Sequence, residues 1–220
     1  MKSDRGAVRV LIVDDHPAAR EGLAFRISLQ PGFVLCGEAV DVADALEQVA
    51  VRKPDVSVID ISLRTGSGID LIKRIKAQAP NVRMLAWSMH DESLYAERAL
   101  RAGALGYIDK TQSTDRVVDA IRCVLEGRVF LSGHMAERLL QRSVLGHKAV
   151  GQSPVDVLSD RELEAFRLIG QGLDTREVAS RMHVTSKTVD TYRSRMKDKL
   201  NVRNRSELVR IATLWSSEYP

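Results

Sequence analysis

The stretch Asp55-Val56-Ser57-Val58-Ile59-Asp60 decides the fold. It is a short apolar run that finishes in a carboxylate. Upstream, Val8-Arg9-Val10-Leu11-Ile12-Val13 ends the same way, in Asp14 and Asp15, and downstream Leu105-Gly106-Tyr107-Ile108-Asp109 leads to Lys110. Strands of one parallel sheet place their carboxyl ends along one edge, where ligand sites in such sheets lie. These stretches would therefore bring Asp14, Asp15, Asp60 and Lys110 together. Carboxylates a few Å apart repel by roughly 3 kcal/mol per pair at an effective dielectric of ~20. Such a cluster needs a cation, and an oxygen-lined pocket with few ligands and room for water suits Mg2+. A carboxylate beside Mg2+ and a lysine is a place to receive a phosphoryl group as an aspartyl phosphate.

Outward from these stretches, short apolar runs alternate with longer helical patterns. The predicted strands are Val8–Val13, Phe33–Ala39, 55–60, 82–87 and 105–108, and Ile69, Ile72 and Ile75 between them fall at helical spacing. This alternation predicts a parallel sheet covered by helices on both faces. Pro17 suits the first turn of the first helix, where its missing N–H costs nothing. Gly103 and Gly106 suit the end of the fourth helix and the turn into the fifth strand. A fifth helix is expected over 113–125. A short one follows over 132–143, with Ser132 as N-cap and Met135, Leu139 and Leu140 on one face. Residues 144–157 carry Gly146, Gly151, Gln152, Ser153 and Pro154 without periodicity and read as a flexible linker.

Beyond the linker the pattern is all helical. Ser159 with Glu162 three residues on makes a capping box available. Gly170 and Gly172 end that helix, Asp174 caps the next, to about Met182, and Ser186 caps a third, to about Leu200. A fourth starts near Asn204 or Arg205 and continues to about Leu214.

Residues 1–125 carry 17 basic and 17 acidic side chains, so that part is balanced. Between His183 and Arg210 eight basic residues face Asp190, Asp198 and Glu207. A basic stretch confined to one end hints at a polyanion partner, although charge alone suits a solvated helix face equally well. No apolar run approaches the ~20 residues of a membrane span, and Met-Lys-Ser-Asp-Arg-Gly lacks an apolar signal segment. Cys36 and Cys123 show neither a pairing pattern nor metal-ligand spacing, and read as buried, reduced thiols of a cytosolic protein.

The first part resembles the receiver domain of two-component response regulators: Asp14-Asp15-His16-Pro17, Asp60, Ser88, Tyr107 and Lys110 stand at its motif positions in order. The last part resembles the LuxR-type helix-turn-helix, in Leu158-Ser159-Asp160-Arg161-Glu162, Gly172, Glu177-Val178-Ala179, Val184-Thr185-Ser186-Lys187-Thr188-Val189 and Lys199-Leu200. Together they cover nearly the whole chain in the arrangement of the NarL/FixJ class. The resemblance implies a flavodoxin-like α/β receiver with a five-stranded parallel sheet over 1–127. A linker with a short helix over 128–157 and a small all-α, four-helix DNA-binding domain over 158–220 would follow. One departure is the loop after Asp60, Ile-Ser-Leu-Arg-Thr-Gly-Ser-Gly, where many members carry a proline near Arg64.

The resemblance also implies roles. Asp60 is the phosphoacceptor; Asp15 and Asp60 bind Mg2+ directly, Asp14 through a water, and the backbone carbonyl of Ser62 is a further ligand. Lys110 pairs with the phosphoryl oxygens, Ser88 moves its hydroxyl onto them, and Tyr107 changes rotamer. His16 and His90 are expected at the surface near the site. In the third C-terminal helix Val189, Tyr192, Met196 and Leu200 read as core. Asp190, Thr191 and Ser194 match base-reading positions, while Lys187, Thr188, Arg193, Arg195 and Lys199 suit phosphate contacts. The helix over 205–214 resembles the dimer-forming helix of such domains, and its Leu208, Val209 and Ile211 could equally close the domain's own core.

The implied protein is no enzyme in the usual sense. It is a cytoplasmic, DNA-binding transcription regulator, phosphorylated on Asp60 by a sensor histidine kinase and dimeric when phosphorylated, with RNA polymerase as a further partner. Two rivals stand beside it: a receiver that acts as an adaptor or phosphate sink with a protein-binding helical domain, and a DNA-binding protein indifferent to phosphorylation. The basic stripe over 187–199 argues against the first and the complete acidic pocket against the second.

Overall fold

The structure, a computed structural model, describes residues 6–63, 65–145 and 154–218. They form two compact units, Met1–Val144 and Leu145–Pro220. The first holds β1 (Val8–Val13), α1 (Pro17–Ser28), β2 (Phe33–Ala39), α2 (Val42–Arg52), β3 (Val56–Ile59), a small hairpin of β4 (Ser62–Leu63) and β5 (Gly66–Ser67), and α3 (Gly68–Gln78). It continues with β6 (Arg83–Ser88), α4 (Glu92–Ala102), β7 (Gly106–Asp109), α5 (Thr114–Leu125) and α6 (Gly133–Leu145).

β1, β3 and β6 are apolar runs because both their faces are covered. One five-stranded sheet results, in the order β2-β1-β3-β6-β7, with every neighbouring pair parallel. Alternation along each strand sends Val10, Ile12, Val58, Leu85 and Ile108 to one face, against Leu23 and Ile27 of α1 and Val117, Ile121 and Val124 of α5. The expected strands thus form one sheet, with bounds one residue or so different. Arg64 lies outside the described residues; around it the loop is closed by the hairpin pairing Ser62↔Ser67 and Leu63↔Gly66.

The end of the fourth helix shows why a glycine stands there. Gly103 is left-handed, at φ 118°, and its N–H bonds back to the carbonyl of Leu100 at 3.0 Å. Residues 128–144 lie in the first unit. Phe130 pairs with the outer edge of β7, and Met135 on α6 is buried. Of the expected flexible linker, residues 146–153 lie outside the described residues, and Pro154–Val157 form a single 3-10 turn with Val155 buried.

The second unit comprises α7 (Asp160–Gly170), α8 (Thr175–Arg181), α9 (Ser186–Leu200) and α10 (Arg205–Glu218). The capping box expected at Ser159 and Glu162 forms, and Asp174, expected as a cap, makes a second box with Glu177. The cap of α9 is Thr185 rather than Ser186. Thr185 is the extended residue, and its hydroxyl accepts the Thr188 N–H at 3.2 Å, so Ser186 is already the first helical residue. α10 runs past Leu214 because Trp215 is buried edge-on against Phe166, at 5.7 Å between ring centres. Val189 and Met196 of α9 join the core, with Tyr192 and Leu200 half-buried at its margin. No described helix is long and apolar enough to cross a membrane.

Candidate functional site

The sheet register places the acidic site. The Asp60 N–H bonds to the Val13 carbonyl at 2.8 Å, so the residue after β3 sits beside Asp14 at the end of β1. The Lys110 N–H bonds to the Ser88 carbonyl at 2.8 Å, which seats the residue after β7 beside the end of β6. From there the Lys110 ammonium reaches Asp14 Oδ2 at 2.6 Å and Asp60 Oδ2 at 2.7 Å. Asp60 Oδ1 accepts the Ser62 N–H at 3.1 Å. Asp60 is only 2% exposed, and burial pushes its carboxyl pKa up to about 6, with Lys110 opposing and Asp14 adding to the rise.

Asp14, Asp15, His16 and Asp60 each offer a ligand atom, and these atoms all lie within 4.8 Å of one another. The carboxylate oxygens form a hard, anionic donor set with one counter-charge from Lys110, which fits a small divalent cation such as Mg2+. His16 is exposed, as expected, yet its Nδ1 turns inward, 3.0 Å from Asp15 and 3.4 Å from Asp14. It also N-caps α1 in an extended conformation, which explains why the ring folds back over the strand end.

His90 departs from the expectation. It is 7% exposed, not a surface residue. Its Nε2 meets the Ser62 hydroxyl and its ring stacks on Tyr95 at 4.7 Å. Its N–H bonds to the Ser88 hydroxyl at 3.2 Å and its carbonyl accepts the Tyr107 hydroxyl at 2.7 Å. Tyr107 is therefore fully buried and turned inward, and burial holds its phenol well above the usual range. Nothing in the sequence near His90 signals this, because its partners come from other strand ends.

Ser62 and His90 form a polar bridge beside Asp60 Oδ1. A bridge in this place would stand in the path of water towards anything bonded to that carboxylate. His90→Ala is expected to speed decay of the phosphorylated protein about threefold or more, with a smaller change in the rate of phosphorylation. Decay of the purified phosphoprotein, followed by intact mass, measures this; equal lifetimes would remove the role assigned to the bridge.

In the second unit α8 and α9 make a helix-turn-helix. Lys187, Asp190, Thr191, Ser194 and Arg195 are exposed on α9, and Thr188 is half-buried. The Thr191 hydroxyl donates to the Lys187 carbonyl at 3.0 Å, which leaves its lone pairs and methyl outward. Two expected phosphate contacts are placed differently. Arg193 is 6% exposed and its Nη1 bonds to Thr175 Oγ1 at 2.7 Å, locking α9 to the start of α8. It stands four residues after Val189, on the core stripe, so it cannot reach outward with its neighbours. The Lys199 ammonium bonds at 2.6 Å to Glu162, a carboxylate only 2% exposed. Burial alone would raise the Glu162 pKa; Lys199 and Ser159 outweigh it and hold the group below the usual range.

Comparison with known proteins agrees with both units. Residues 10–122 match the response regulator receiver domain, and residues 156–212 match the luxR family of bacterial regulatory proteins. The chain belongs to the response regulators of the NarL/FixJ class, in which a receiver is joined to a LuxR-type DNA-binding domain. It is 31% identical to the oxygen regulatory protein NreC of Staphylococcus carnosus over 209 residues, 93% of this chain and 96% of that protein. To the DNA-binding transcriptional activator DevR/DosR of Mycobacterium tuberculosis it is 33% identical, with 94% of each chain covered. A LuxR-family two-component response regulator from Aurantimonas is similar in structure, with TM-score 0.58 and 33% identity over 63% of this chain and 99% of that one. RcsB of Salmonella enterica serovar Typhimurium, solved bound to promoter rprA with phosphomimetic BeF3-, shares the fold at TM-score 0.61 and 23% identity, covering 94% of this chain and 99% of that one.

Proposed function

We propose that Asp60 is the phosphorylated residue, that a sensor histidine kinase supplies the phosphoryl group, and that phosphorylation controls dimerisation and operator binding through α9. The observation that carries this is the Asp60 carboxylate itself, buried at a strand end with the Lys110 ammonium 2.7 Å away and Asp14 and Asp15 beside it. Phosphoryl transfer needs alignment and charge neutralisation more than covalent help. An Asp60 oxygen attacks the phosphorus of the kinase phosphohistidine; the P–N bond breaks as the P–O bond forms, and the imidazole leaves.

Asp14, Asp15, Asp60 and the backbone carbonyl of Ser62 would hold Mg2+, which when bound supplies further neutralisation of the phosphoryl oxygens. Lys110 can turn from Asp14 to those oxygens. The Ser88 hydroxyl, which accepts the His90 N–H here, would donate to them instead. Tyr107, joined to the His90 carbonyl, answers to the same movement. The protein's own chemistry is limited to gaining and losing this group, so it acts as a cytoplasmic regulator rather than as a metabolic enzyme. Its partners are the kinase, double-stranded DNA, a second copy of the chain and RNA polymerase.

On DNA, Asp190, Thr191 and Ser194 are assigned to base edges, and Lys187, Thr188 and Arg195 to phosphates. Lys199 is bound to Glu162, which makes Arg195 the cleaner phosphate probe. Thr191→Ala or Ser194→Ala is expected to reduce preference for operator over random DNA by about 1–3 kcal/mol. Arg195→Ala should weaken both alike and lower the salt slope by about one unit. Paired binding isotherms over a range of salt test this. Loss of operator preference in Arg195→Ala alone would show that α9 meets the groove with another face, and salt-independent binding would favour a protein partner.

A further inference from the structure

The segment that leaves the receiver is fastened to it at two places. After α5 the chain turns at Gly127, at φ 77°, and runs back along β7. The Phe130 N–H bonds to the Leu105 carbonyl at 2.9 Å, and the Tyr107 N–H bonds to the Phe130 carbonyl at 3.0 Å. Gly106 lies under this segment, and an added Cβ would stand 2.9 Å from the Phe130 carbonyl oxygen, so the fastening needs a glycine there. These bonds run from backbone to backbone along a strand edge.

The second fastening is a side chain. Glu92, the first residue of α4, accepts the Ser132 N–H on Oε1 at 2.9 Å. Ser132 then starts α6: its hydroxyl accepts the Met135 N–H at 3.1 Å and its carbonyl the Ala136 N–H at 3.0 Å. Glu92 therefore holds the residue from which α6 begins. It is also only two residues from His90, whose N–H rests on the Ser88 hydroxyl and whose carbonyl holds Tyr107. Asp91 between them caps α4 through the Ser93 N–H at 2.6 Å. Ser88, His90 and Glu92 thus form a short, continuous run from the strand end beside Asp60 to the start of α6.

We propose that Glu92 is the positioning residue through which the state of the acidic site reaches the segment leading out of the receiver. The proposal rests on phosphorylation at Asp60. A phosphoryl group there draws the Ser88 hydroxyl away from the His90 N–H. The turn over residues 89–92 loses that anchor, Glu92 moves with the first turn of α4, and Ser132 is released while Phe130 stays on the edge of β7. Phosphorylation then loosens the start of α6 without detaching the segment. A hydrogen bond to a charged acceptor is strong enough for its presence or absence to register in amide exchange.

The test is amide hydrogen exchange on the full chain, with and without a small phosphodonor and Mg2+, with the intact mass of each sample recorded. The Ser132 amide is expected to exchange about tenfold faster in the phosphorylated protein, while the Phe130 and Tyr107 amides keep their protection. Glu92→Ala should exchange fast at Ser132 in both states, with undiminished phosphoryl uptake. Glu92→Gln keeps an acceptor oxygen and should restore the dependence on state. Equal Ser132 exchange in a fully phosphorylated and an unphosphorylated wild-type protein overturns the inference. So does slow, state-dependent exchange in Glu92→Ala. A wild-type protein that gains no phosphoryl mass removes the Asp60 reading, and this inference with it.

Discussion

Asp60→Asn will take up phosphate from a small phosphodonor at less than about a hundredth of the wild-type rate, because the substitution removes the nucleophilic oxygen charge at the phosphoacceptor position. Lys110 keeps Asp14 at 2.6 Å, so the pocket does not collapse for want of a counter-charge. Intact mass after incubation with Mg2+ reads the result; uptake at the wild-type rate would falsify the assignment of Asp60. The same variant carries a second expected effect, of opposite sign for stability. Burial raises the Asp60 pKa from 3.8 to about 6. A carboxyl with a raised folded pKa contributes stability that is fully present below pH 3.8 and is lost as pH rises through about 6. At pH 7 the ionised group therefore opposes folding, by at most on the order of 3 kcal/mol. Without divalent cations Asp60→Asn should melt above wild type at neutral pH, and the gap should close towards pH 4. A cation bound by the carboxylates should narrow it as well. Equal melting points across that range would mean that Asp60 ionises in the fold as it does in the unfolded chain.

Gly68→Ala should damage both folding and phosphorylation, although residue 68 carries no functional group. Gly68 opens α3 and gives its N–H to the Ile61 carbonyl at 2.8 Å. A Cβ at this position would fall inside the contact radius of the Asp60 carbonyl oxygen and 2.8 Å from the Ile61 Cα. Both neighbours are backbone, so neither can swing aside. The turn that carries Asp60 and Ser62 must move, at a cost of about 3 kcal/mol or more. A displacement near 1 Å in a reacting group can lower its rate about a hundredfold. Urea denaturation and the rate of phosphoryl uptake check the two parts. Gly133→Ala, with open space around its added methyl, serves as the control and should lose neither.

The two variants separate what is chemical in the site from what is architectural. Asp60→Asn removes reactivity and gains stability, whereas Gly68→Ala loses both. A site built only from convenient surface carboxylates would show neither pattern, since exposed groups titrate near their ordinary values and tolerate small changes nearby.

Much of this arrangement could be read from the chain alone, because it rests on short-range patterns. Continuous apolar runs identify strands covered on both faces, and a parallel sheet then brings the residues after each run to one edge. Asp14, Asp15, Asp60 and Lys110 meet for that reason. The capping box at Ser159 and the cap at Asp174 are equally local, each joining residues three apart. On α9 the helical spacing points Val189 and Met196 inward, as the structure has them, whereas the charge of Arg193 suggests an outward phosphate contact that its place four residues after Val189 does not allow. Packing decided that side chain: the half-buried Thr175 at the start of α8 offers it a partner, and its place on the core stripe turns it inward.

The remaining differences concern partners that no local pattern can name. Ser62 and His90 are 28 residues apart, Thr175 and Arg193 18, Glu162 and Lys199 37, and Glu92 and Ser132 40. By itself the sequence determined the strands of the parallel sheet, the main helices and which groups end at the sheet edge, because periodicity and capping act within a few residues; the β4–β5 hairpin and the turn over Pro154–Val157 came only with the structure. Only the tertiary structure decided which polar side chains are taken out of water together. A buried donor or acceptor must find its partner wherever packing brings one, whatever the distance along the chain.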